Sequence, residues 1–107
     1  MTDGLVVLVT VPSREAGEAM AEALVGERLA ACVNLCGPVR SIYRWKEEIC
    51  RDDEHLMVIK TTRARYAALE SQVRALHTYE VAEVIALPIE QGAPAYLAWL
   101  RGETEPE

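Results

Sequence analysis

The stretch VRSIYRWKEEICRDDEHLMVIKTT, residues 39–62, decides the fold of this chain. Its first part, VRSIYRW, reads as a strand whose alternate side chains face opposite sides, which places Tyr43 and Trp45 on the same face. The residues KEE turn the chain, and residues 49–61 return as a strand that ends in the aliphatic run HLMVIK. The stretch therefore predicts a long β-hairpin.

Before the hairpin, the sequence predicts a strand, a helix and a second strand. The almost unbroken aliphatic run at residues 5–11 is typical of a central strand. Ser13 is placed to cap the helix that follows, which keeps its helical apolar spacing to about Arg28. The run LAACVNLC, residues 29–36, predicts a buried strand that a Gly-Pro pair breaks before the chain resumes extended at residue 39.

After the hairpin, the pattern is helix, strand and helix. A second helix begins after Thr62 and stops at His77, and EVIALP, residues 83–88, predicts the fourth strand. Gly92 and Pro94 introduce a short last helix, and an acidic tail from about residue 103 is expected to fray. Three side chains of the last helix are expected to point inward: Tyr96, Leu97 and Leu100.

The element order βαββαβ with a C-terminal helix predicts an α+β, ferredoxin-like fold. Right-handed connections then give a four-stranded antiparallel sheet with both crossover helices on one face. At 107 residues, we expect one domain over residues 1–107.

Composition and motifs exclude several functions of this fold. The net charge of −6 argues against binding to nucleic acid or to an anionic membrane, and the third strand lacks the aromatic residues that stack on RNA bases. The loop before the first helix, TVPSRE, has neither the CxxC of a soft-metal chaperone nor a glycine-rich phosphate loop. Three cysteines without CxxC spacing, no signal-peptide pattern and no stretch of transmembrane length predict reduced thiols in a cytoplasmic protein.

The hairpin is too long for the helix that covers it. A return arm of 13 residues extends about 43 Å, whereas a helix of about 14 residues covers only about 21 Å. The tip therefore overhangs its own core and exposes apolar side chains, a surface that another chain normally covers. The predicted interface of an obligate oligomer comprises Ile42, Tyr43, Trp45 and Ile49.

Six fragments occur in an order and spacing that resemble the CutA family of divalent-cation tolerance proteins, which are related in architecture to PII signal proteins. They are VTVPS, ALVGERLAACVN, SIYRW, VIKTT, ALHTYEVAEVIALPI and YLAWL, and they extend over nearly the whole chain. The resemblance implies a homotrimer joined by the long hairpin, a cytosolic role in metal tolerance, copper binding in some members, and ligand clefts between subunits. It implies no settled reaction.

The chain departs from the family pattern at four positions. Glu47 replaces a glycine of the hairpin turn, so we expect a different turn geometry. Thr78 and Ala82 replace two prolines, which should make residues 77–83 less rigid. Val9 stands where copper-binding members carry a cysteine, so a copper site built on that cysteine is absent or altered.

Three interpretations of HTYEVAEVIALP, residues 77–88, stay open. His77 is at a helix C-terminus, where a structural role in the corner is one interpretation. A metal site with His77 and Glu83 as ligands, or Glu80 in place of Glu83, for copper or another divalent cation is the second. The third is a cleft for a small anionic ligand, with Trp45 contributed by a neighbouring subunit and Lys60 as the cation. The cleft residues are Trp45, Lys60, His77, Tyr79 and Glu83.

Two functions therefore remain. One is a trimeric binding or signalling protein that responds to a metal ion or a small anion. The other is a metal-dependent hydrolase in which Glu80 or Glu83 acts as the base, an alternative that requires a metal with three protein ligands and an open position.

Overall fold

The computed structural model describes residues 2–106 and has the predicted order of strands and helices. The elements are β1 Gly4–Val11, α1 Arg14–Gly26, β2 Cys32–Trp45, β3 Glu48–Thr62, α2 Arg63–Leu76, β4 Val84–Pro88 and α3 Pro94–Glu103. None of the helices in this part of the chain is long and apolar enough to cross a membrane.

The four strands form one antiparallel sheet in the order β2-β3-β1-β4, which confirms the predicted α+β, ferredoxin-like arrangement. Alternate residues of β1 are buried because only one face of the sheet is covered by α1 and α2. Val7 and Val9 of β1, Leu24 of α1, and Leu69 and Val73 of α2 are all fully buried in this core.

Helix α1 begins where the sequence predicts and ends two residues earlier. The Ser13 side chain accepts a hydrogen bond of 3.1 Å from the backbone N–H of Ala16, as expected of a helix cap. The last helical residue is Gly26, not Arg28, because Arg28 has a φ of 61° and leaves the helix.

The tail expected to fray from residue 103 is anchored through residue 105. Thr104 is 2% exposed, and its hydroxyl donates to the carbonyl oxygen of Leu100 at 2.9 Å. The guanidinium of Arg28 donates to the carbonyl oxygens of Gly102 and Glu105, which joins the end of α1 to the end of α3. The last residue of the chain, 107, lies outside the described residues.

The second strand starts later and continues further than predicted. Leu29 and Ala30 are buried, but both backbone N–H groups bond back to the carbonyl of Leu24, so they belong to the turn after α1. The Gly-Pro pair does not end β2; the register with β3 shifts between Cys36 and Val39, and the strand continues to its end at residue 45.

Strands β2 and β3 form the predicted long hairpin. Trp45 pairs with Glu48, so the turn consists of Lys46 and Glu47, whose φ angles are 49° and 68°. Both φ angles are positive, as in the two-residue hairpin turn in which glycine is favoured. Glu47 therefore adopts a backbone conformation that suits glycine, and the expectation of a different turn geometry is wrong. The hairpin sets the longest dimension of the molecule, 44 Å, which is about twice the roughly 21 Å length of the 14-residue α2.

The hairpin tip is exposed in the single chain. Exposed fractions are 66% for Ile42, 56% for Ile49, 42% for Tyr43 and 38% for Trp45. Tyr43 and Trp45 point to one face of the hairpin and Ile42 and Ile49 to the other, and we call these four side chains together the tip surface.

Helix α3 covers one end of the sheet through Leu100, which is 1% exposed. Leu100 lies against Gly4, where an added Cβ would come within 3.1 Å of its side chain. Leu97 is partly buried, but the prediction that Tyr96 points inward is wrong. Tyr96 is 42% exposed, and its ring packs against that of Trp99 with centroids 5.5 Å apart.

Candidate functional site

A groove of about 820 Å³ lies between the hairpin and the segment that follows α2. We call residues 77–83 the corner, since they connect α2 to β4. The groove is lined by Thr10, Pro12, Ser41, Ile42, Tyr43, Trp45, Asp52, Asp53, Glu54, Tyr79, Glu80, Val81, Ala82 and Glu83. The groove lies where the hairpin extends beyond β1, whose pairing with β3 ends at Val11 and His55.

A hydrogen bond joins the corner to the hairpin within the groove. The hydroxyl of Tyr79 donates to Oε2 of Glu54 at 2.7 Å, and Glu54 is only 6% exposed. Burial, and then this hydrogen bond to a carboxylate, raise the pKa of Tyr79 well above its ordinary value. Tyr79 is therefore a protonated donor at neutral pH, and it supplies the partner that a buried carboxylate needs.

A second tyrosine repeats this pairing nearer the tip. The Tyr43 hydroxyl donates to Oδ2 of Asp52 across the β2–β3 pair. The hydrogen bond from Asp52 is the main cause that raises the pKa of Tyr43 to about 12. Both tyrosines are thus held with their rings along the groove by carboxylates of β3.

The groove is strongly acidic. Five of its lining residues are carboxylates: Asp52, Asp53, Glu54, Glu80 and Glu83. Among the described residues that line it, there is neither lysine nor arginine. Two cations lie at its rim, where Arg40 bonds Asp53 at 3.1 Å and the Lys46 ammonium is 4.0 Å from Glu80. A groove of this composition attracts cations and repels anions.

His77 lies beside the groove and uses both ring nitrogens within the fold. Its Nε2 is 2.7 Å from the carbonyl oxygen of Thr10, and its Nδ1 is 3.1 Å from the backbone nitrogen of Tyr79. The N–H of Tyr79 donates to Nδ1, so the hydrogen of the neutral ring is on Nε2 and points to Thr10. The centroids of the His77 and Tyr79 rings also lie 4.5 Å apart. These contacts are those of a residue that fixes the corner.

The structure brings together three of the five predicted cleft residues. Trp45, Tyr79 and Glu83 line the groove of a single chain, so the expectation that Trp45 comes from a neighbouring subunit is not needed for them to meet. His77 instead lines a separate apolar cavity of about 210 Å³ beside α1. Lys60 lies outside the groove, where its ammonium donates to the Asn34 side chain and to the Val58 carbonyl oxygen.

Sequence reasoning missed the acidic residues of β3. Asp52, Asp53 and Glu54 belong to the run RDDE, which reads as a solvated charged segment. The available signal was the alternation of the strand, since successive side chains point to opposite faces and one of them can meet a neighbouring element. Only the packing of the corner against β3 identifies Glu54 as the buried member.

The carboxylates of the groove are spread along its length. Within residues 2–106, no group of three or more His, Cys, Asp and Glu side chains is placed to hold a metal ion. Metal ligation by His77 with Glu83 stays a prediction, and it requires that Nδ1 give up the N–H of Tyr79. The hydrolase alternative gains no support from this arrangement, because it needs three protein ligands on one metal.

Comparison with known proteins gives a consistent set of relatives. A family described as "CutA1 divalent ion tolerance protein" matches residues 5–103. The chain is 52% identical to the divalent-cation tolerance protein CutA of Thermus thermophilus, over 92% of this chain and 96% of that protein. It is 53% identical to Protein CutA of Mus musculus over 91% of this chain, and it spans about half (55%) of that protein's length.

Solved structures match the fold over nearly its full length. The divalent cation tolerance protein of Thermus thermophilus superimposes with a TM-score of 0.93 at 50% identity, covering 95% of this chain and 99% of that one. A structure described as the PII-like protein CutA of Nostoc, in apo form, gives a TM-score of 0.88 at 33% identity, covering 96% and 99% of the two chains. The family resemblance seen in the sequence is thereby confirmed.

Proposed function

This chain belongs to the CutA1 family of divalent ion tolerance proteins, and on that premise we propose that it is a homotrimeric, metal-responsive binding protein whose groove takes up cations. The observation that carries this proposal is the charge of the groove. Five carboxylates line it with no lysine or arginine among its described lining residues. The small anionic ligand expected from Lys60 is not part of the proposal, because Lys60 lies elsewhere on β3.

Assembly as a trimer is supported by the tip surface. Its four large apolar side chains are each more than one third exposed, at the end of a hairpin that extends beyond the core. Exposed apolar patches and free strand edges of this kind are normally covered in an assembly. Neighbouring chains that cover the tip surface would also close the groove from one side, which makes the groove a cleft between subunits.

The side chains of the groove suit a hard divalent cation better than copper. Its charged donors are all carboxylate oxygens, which hard cations such as Mg²⁺ and Mn²⁺ prefer, whereas copper favours nitrogen and sulfur. The nitrogen of His77 that could ligate copper accepts a backbone hydrogen bond, and Val9 offers no sulfur. Copper binding through His77 with Glu83 is therefore the weaker form of the proposal.

Calorimetric titration of the assembled protein with Mn²⁺ tests the groove as the cation site. Glu83→Gln removes one groove carboxylate, and Glu90→Gln is its matched control on an exposed carboxylate that does not line the groove. We expect Glu83→Gln to weaken binding about two- to fivefold, the range for an exposed charge pair, and Glu90→Gln to change it little. Equal losses in both variants would show that Mn²⁺ responds only to net charge and would refute the groove as its site.

The same titration decides the role of His77. In His77→Ala, we expect unchanged Mn²⁺ and Cu²⁺ affinity with about 0.5–2 kcal/mol of lost stability, because the ring holds the corner through two hydrogen bonds. A loss of copper affinity of about tenfold or more in a folded trimer would instead make His77 a ligand. Sedimentation of each sample gives its assembly state, and a stable monomer would contradict the trimer.

We also propose a cytoplasmic location, which the three free cysteines support.

A further inference from the structure

The corner is attached to β1 at its two ends, with no backbone contact between them. At one end, Nε2 of His77 donates to the carbonyl oxygen of Thr10 at 2.7 Å, and just past the other end, Val84 pairs with Val9. In the part of the chain that the structure describes, residues 78–83 form no backbone–backbone hydrogen bond. Segments with few such bonds open locally at a lower free-energy cost than helices and strands do.

One hydrogen bond holds the middle of the corner. The Tyr79 hydroxyl donates to Oε2 of Glu54, a carboxylate that is almost fully buried. The ion pair of Glu80 with Lys46 has an N–O distance of 4.0 Å between two largely exposed side chains, so it contributes little. Breaking the bond between Tyr79 and Glu54 would therefore release the middle of the corner from the hairpin.

The corner also separates two spaces. Residues 79–83 line the acidic groove, whereas His77 and Thr78 line the apolar cavity of about 210 Å³ beside α1. Pro12 lines both, so the groove and the cavity adjoin, and the corner with Pro12 forms the wall between them. The corner lies outside the tip surface. Its displacement would give the groove an entrance on the side of α1, which contacts at the tip surface do not close.

We propose that the corner is a gate: the hydrogen bond between Tyr79 and Glu54 holds it closed, and its opening admits cations to the groove from the side of α1. This inference rests on the proposed function, since it assigns the route by which the same site is filled. Neighbouring chains that cover the tip surface leave the groove less accessible, so the gate controls the rates of binding and release. Local openings of this kind take microseconds to seconds, which makes them slow enough to limit these rates.

Relaxation-dispersion NMR of the assembled, metal-free protein measures the opening itself. We expect the amides of residues 78–83 to share one exchange process between a closed majority and an open minority. Tyr79→Phe should raise the open population about tenfold, since the hydrogen bond to a buried carboxylate is lost. Tyr66→Phe removes a hydroxyl bonded to Glu70 within α2 and should leave that population at the wild-type value. The inference is overturned if neither wild type nor Tyr79→Phe shows a shared process, or if both variants change it equally.

Thr78→Pro alters the gate in the opposite direction. His77 has a ψ of 144°, the extended conformation that a residue before proline requires, and the N–H of Thr78 donates to no backbone acceptor among the described residues. Proline removes more conformations from the open corner than from the closed one, so the open population should fall about two- to fivefold. A population equal to that of wild type would show that closing does not order the corner, and would count against the gate.

Stopped-flow mixing with Mn²⁺, followed by tryptophan fluorescence, tests the route. If cations pass the corner, the association and dissociation rates should both follow the open population, about tenfold faster in Tyr79→Phe and about two- to fivefold slower in Thr78→Pro. Tyr66→Phe should keep the wild-type rates. Because binding and release pass the same gate, Kd should change much less than either rate. Equal rates in all four proteins would refute the route.

The outcomes separate this inference from the proposed function. If Mn²⁺ binds with the expected dependence on Glu83 while its rates are independent of the open population, the groove remains the cation site and only the gate is refuted. If the corner opens as expected but Mn²⁺ binds equally in Glu83→Gln and Glu90→Gln, the proposed function is wrong and the gate has no cation to admit.

Discussion

The hydrogen bond between Tyr79 and Glu54 should be the main stabilising contact between the corner and the hairpin. Tyr79→Phe removes only the hydroxyl that donates to Oε2 of Glu54 at 2.7 Å. Glu54 is 6% exposed, so its carboxylate would lose a hydrogen-bond donor in a site that water reaches poorly. Tyr66→Phe is a matched control, because it removes the same atom from a hydrogen bond to Glu70, a carboxylate of α2 that is only partly buried and lies outside the tip surface.

The expected loss of unfolding free energy in Tyr79→Phe follows from the burial of the hydrogen bond. A hydrogen bond to a charged group contributes about 1.5–3 kcal/mol, and we expect the lower end, about 1.5 kcal/mol, because Tyr79 itself is 36% exposed. With a urea dependence of about 1.5 kcal/mol per molar, the unfolding midpoint of Tyr79→Phe should fall by about 1 M. In Tyr66→Phe, water reaches Glu70 and can take the place of the lost donor, so the midpoint should fall much less.

The pH dependence gives a second test of the same contact. Burial and Glu54 raise the pKa of Tyr79 above its ordinary value of 10.0. Above pH 10 the unfolded chain therefore releases this proton while the folded chain retains it, which favours unfolding. The stabilisation by Tyr79 should be constant below about pH 10 and should decline as pH rises through the higher value of the folded state.

Urea unfolding at one fixed protein concentration, followed by circular dichroism, measures both effects. The stability difference between wild type and Tyr79→Phe should remain near 1.5 kcal/mol from pH 7 to 9 and shrink at higher pH. Equal midpoint shifts in Tyr79→Phe and Tyr66→Phe would refute the reasoning, since they would show that the burial of Glu54 does not decide the cost. A difference that grows above pH 10 would refute the assigned direction of the pKa shift.

Three further changes test the assembly, the cap of α1 and the hairpin turn. Trp45→Asp places a charge on the tip surface and should yield smaller species in sedimentation at micromolar concentration while circular dichroism remains native; an intact trimer would contradict the predicted interface. Ser13→Ala removes the acceptor for the N–H of Ala16 and should cost about 1 kcal/mol in urea unfolding, whereas no loss would mean that water replaces the cap. Glu47→Gly should stabilise the protein by about 0.5 kcal/mol, since its φ of 68° suits glycine; destabilisation would show that the side chain contributes more than the turn strain costs.

The regular elements could be predicted from the sequence because local patterns carry them. The apolar alternation and run lengths identified β1, β3 and β4, and Ser13 marked the start of α1 through a hydrogen bond formed within one turn. Errors occurred at the ends of the elements, where turns, caps and contacts elsewhere in the fold override the apolar pattern. Leu29 and Ala30 are buried without being in a strand, and residues 104 and 105 are held by contacts with the ends of α1 and α3.

The candidate site, too, has features that the sequence determines and features that only the tertiary structure decides. The sequence by itself determined that the hairpin is longer than its helix and that His77 ends α2. It also identified Trp45 and Tyr79 as residues of the cleft. Each of these features follows from spacing and residue type along the chain. Only the tertiary structure decided the charge of the groove. It places the corner on β3 and buries Glu54 against Tyr79, while Lys60, 15 residues beyond Trp45 along the hairpin, lies outside the groove. The sign of the groove's charge depends on which side chains meet across space. Strand register and packing decide which residues meet there, and their separation in the sequence does not.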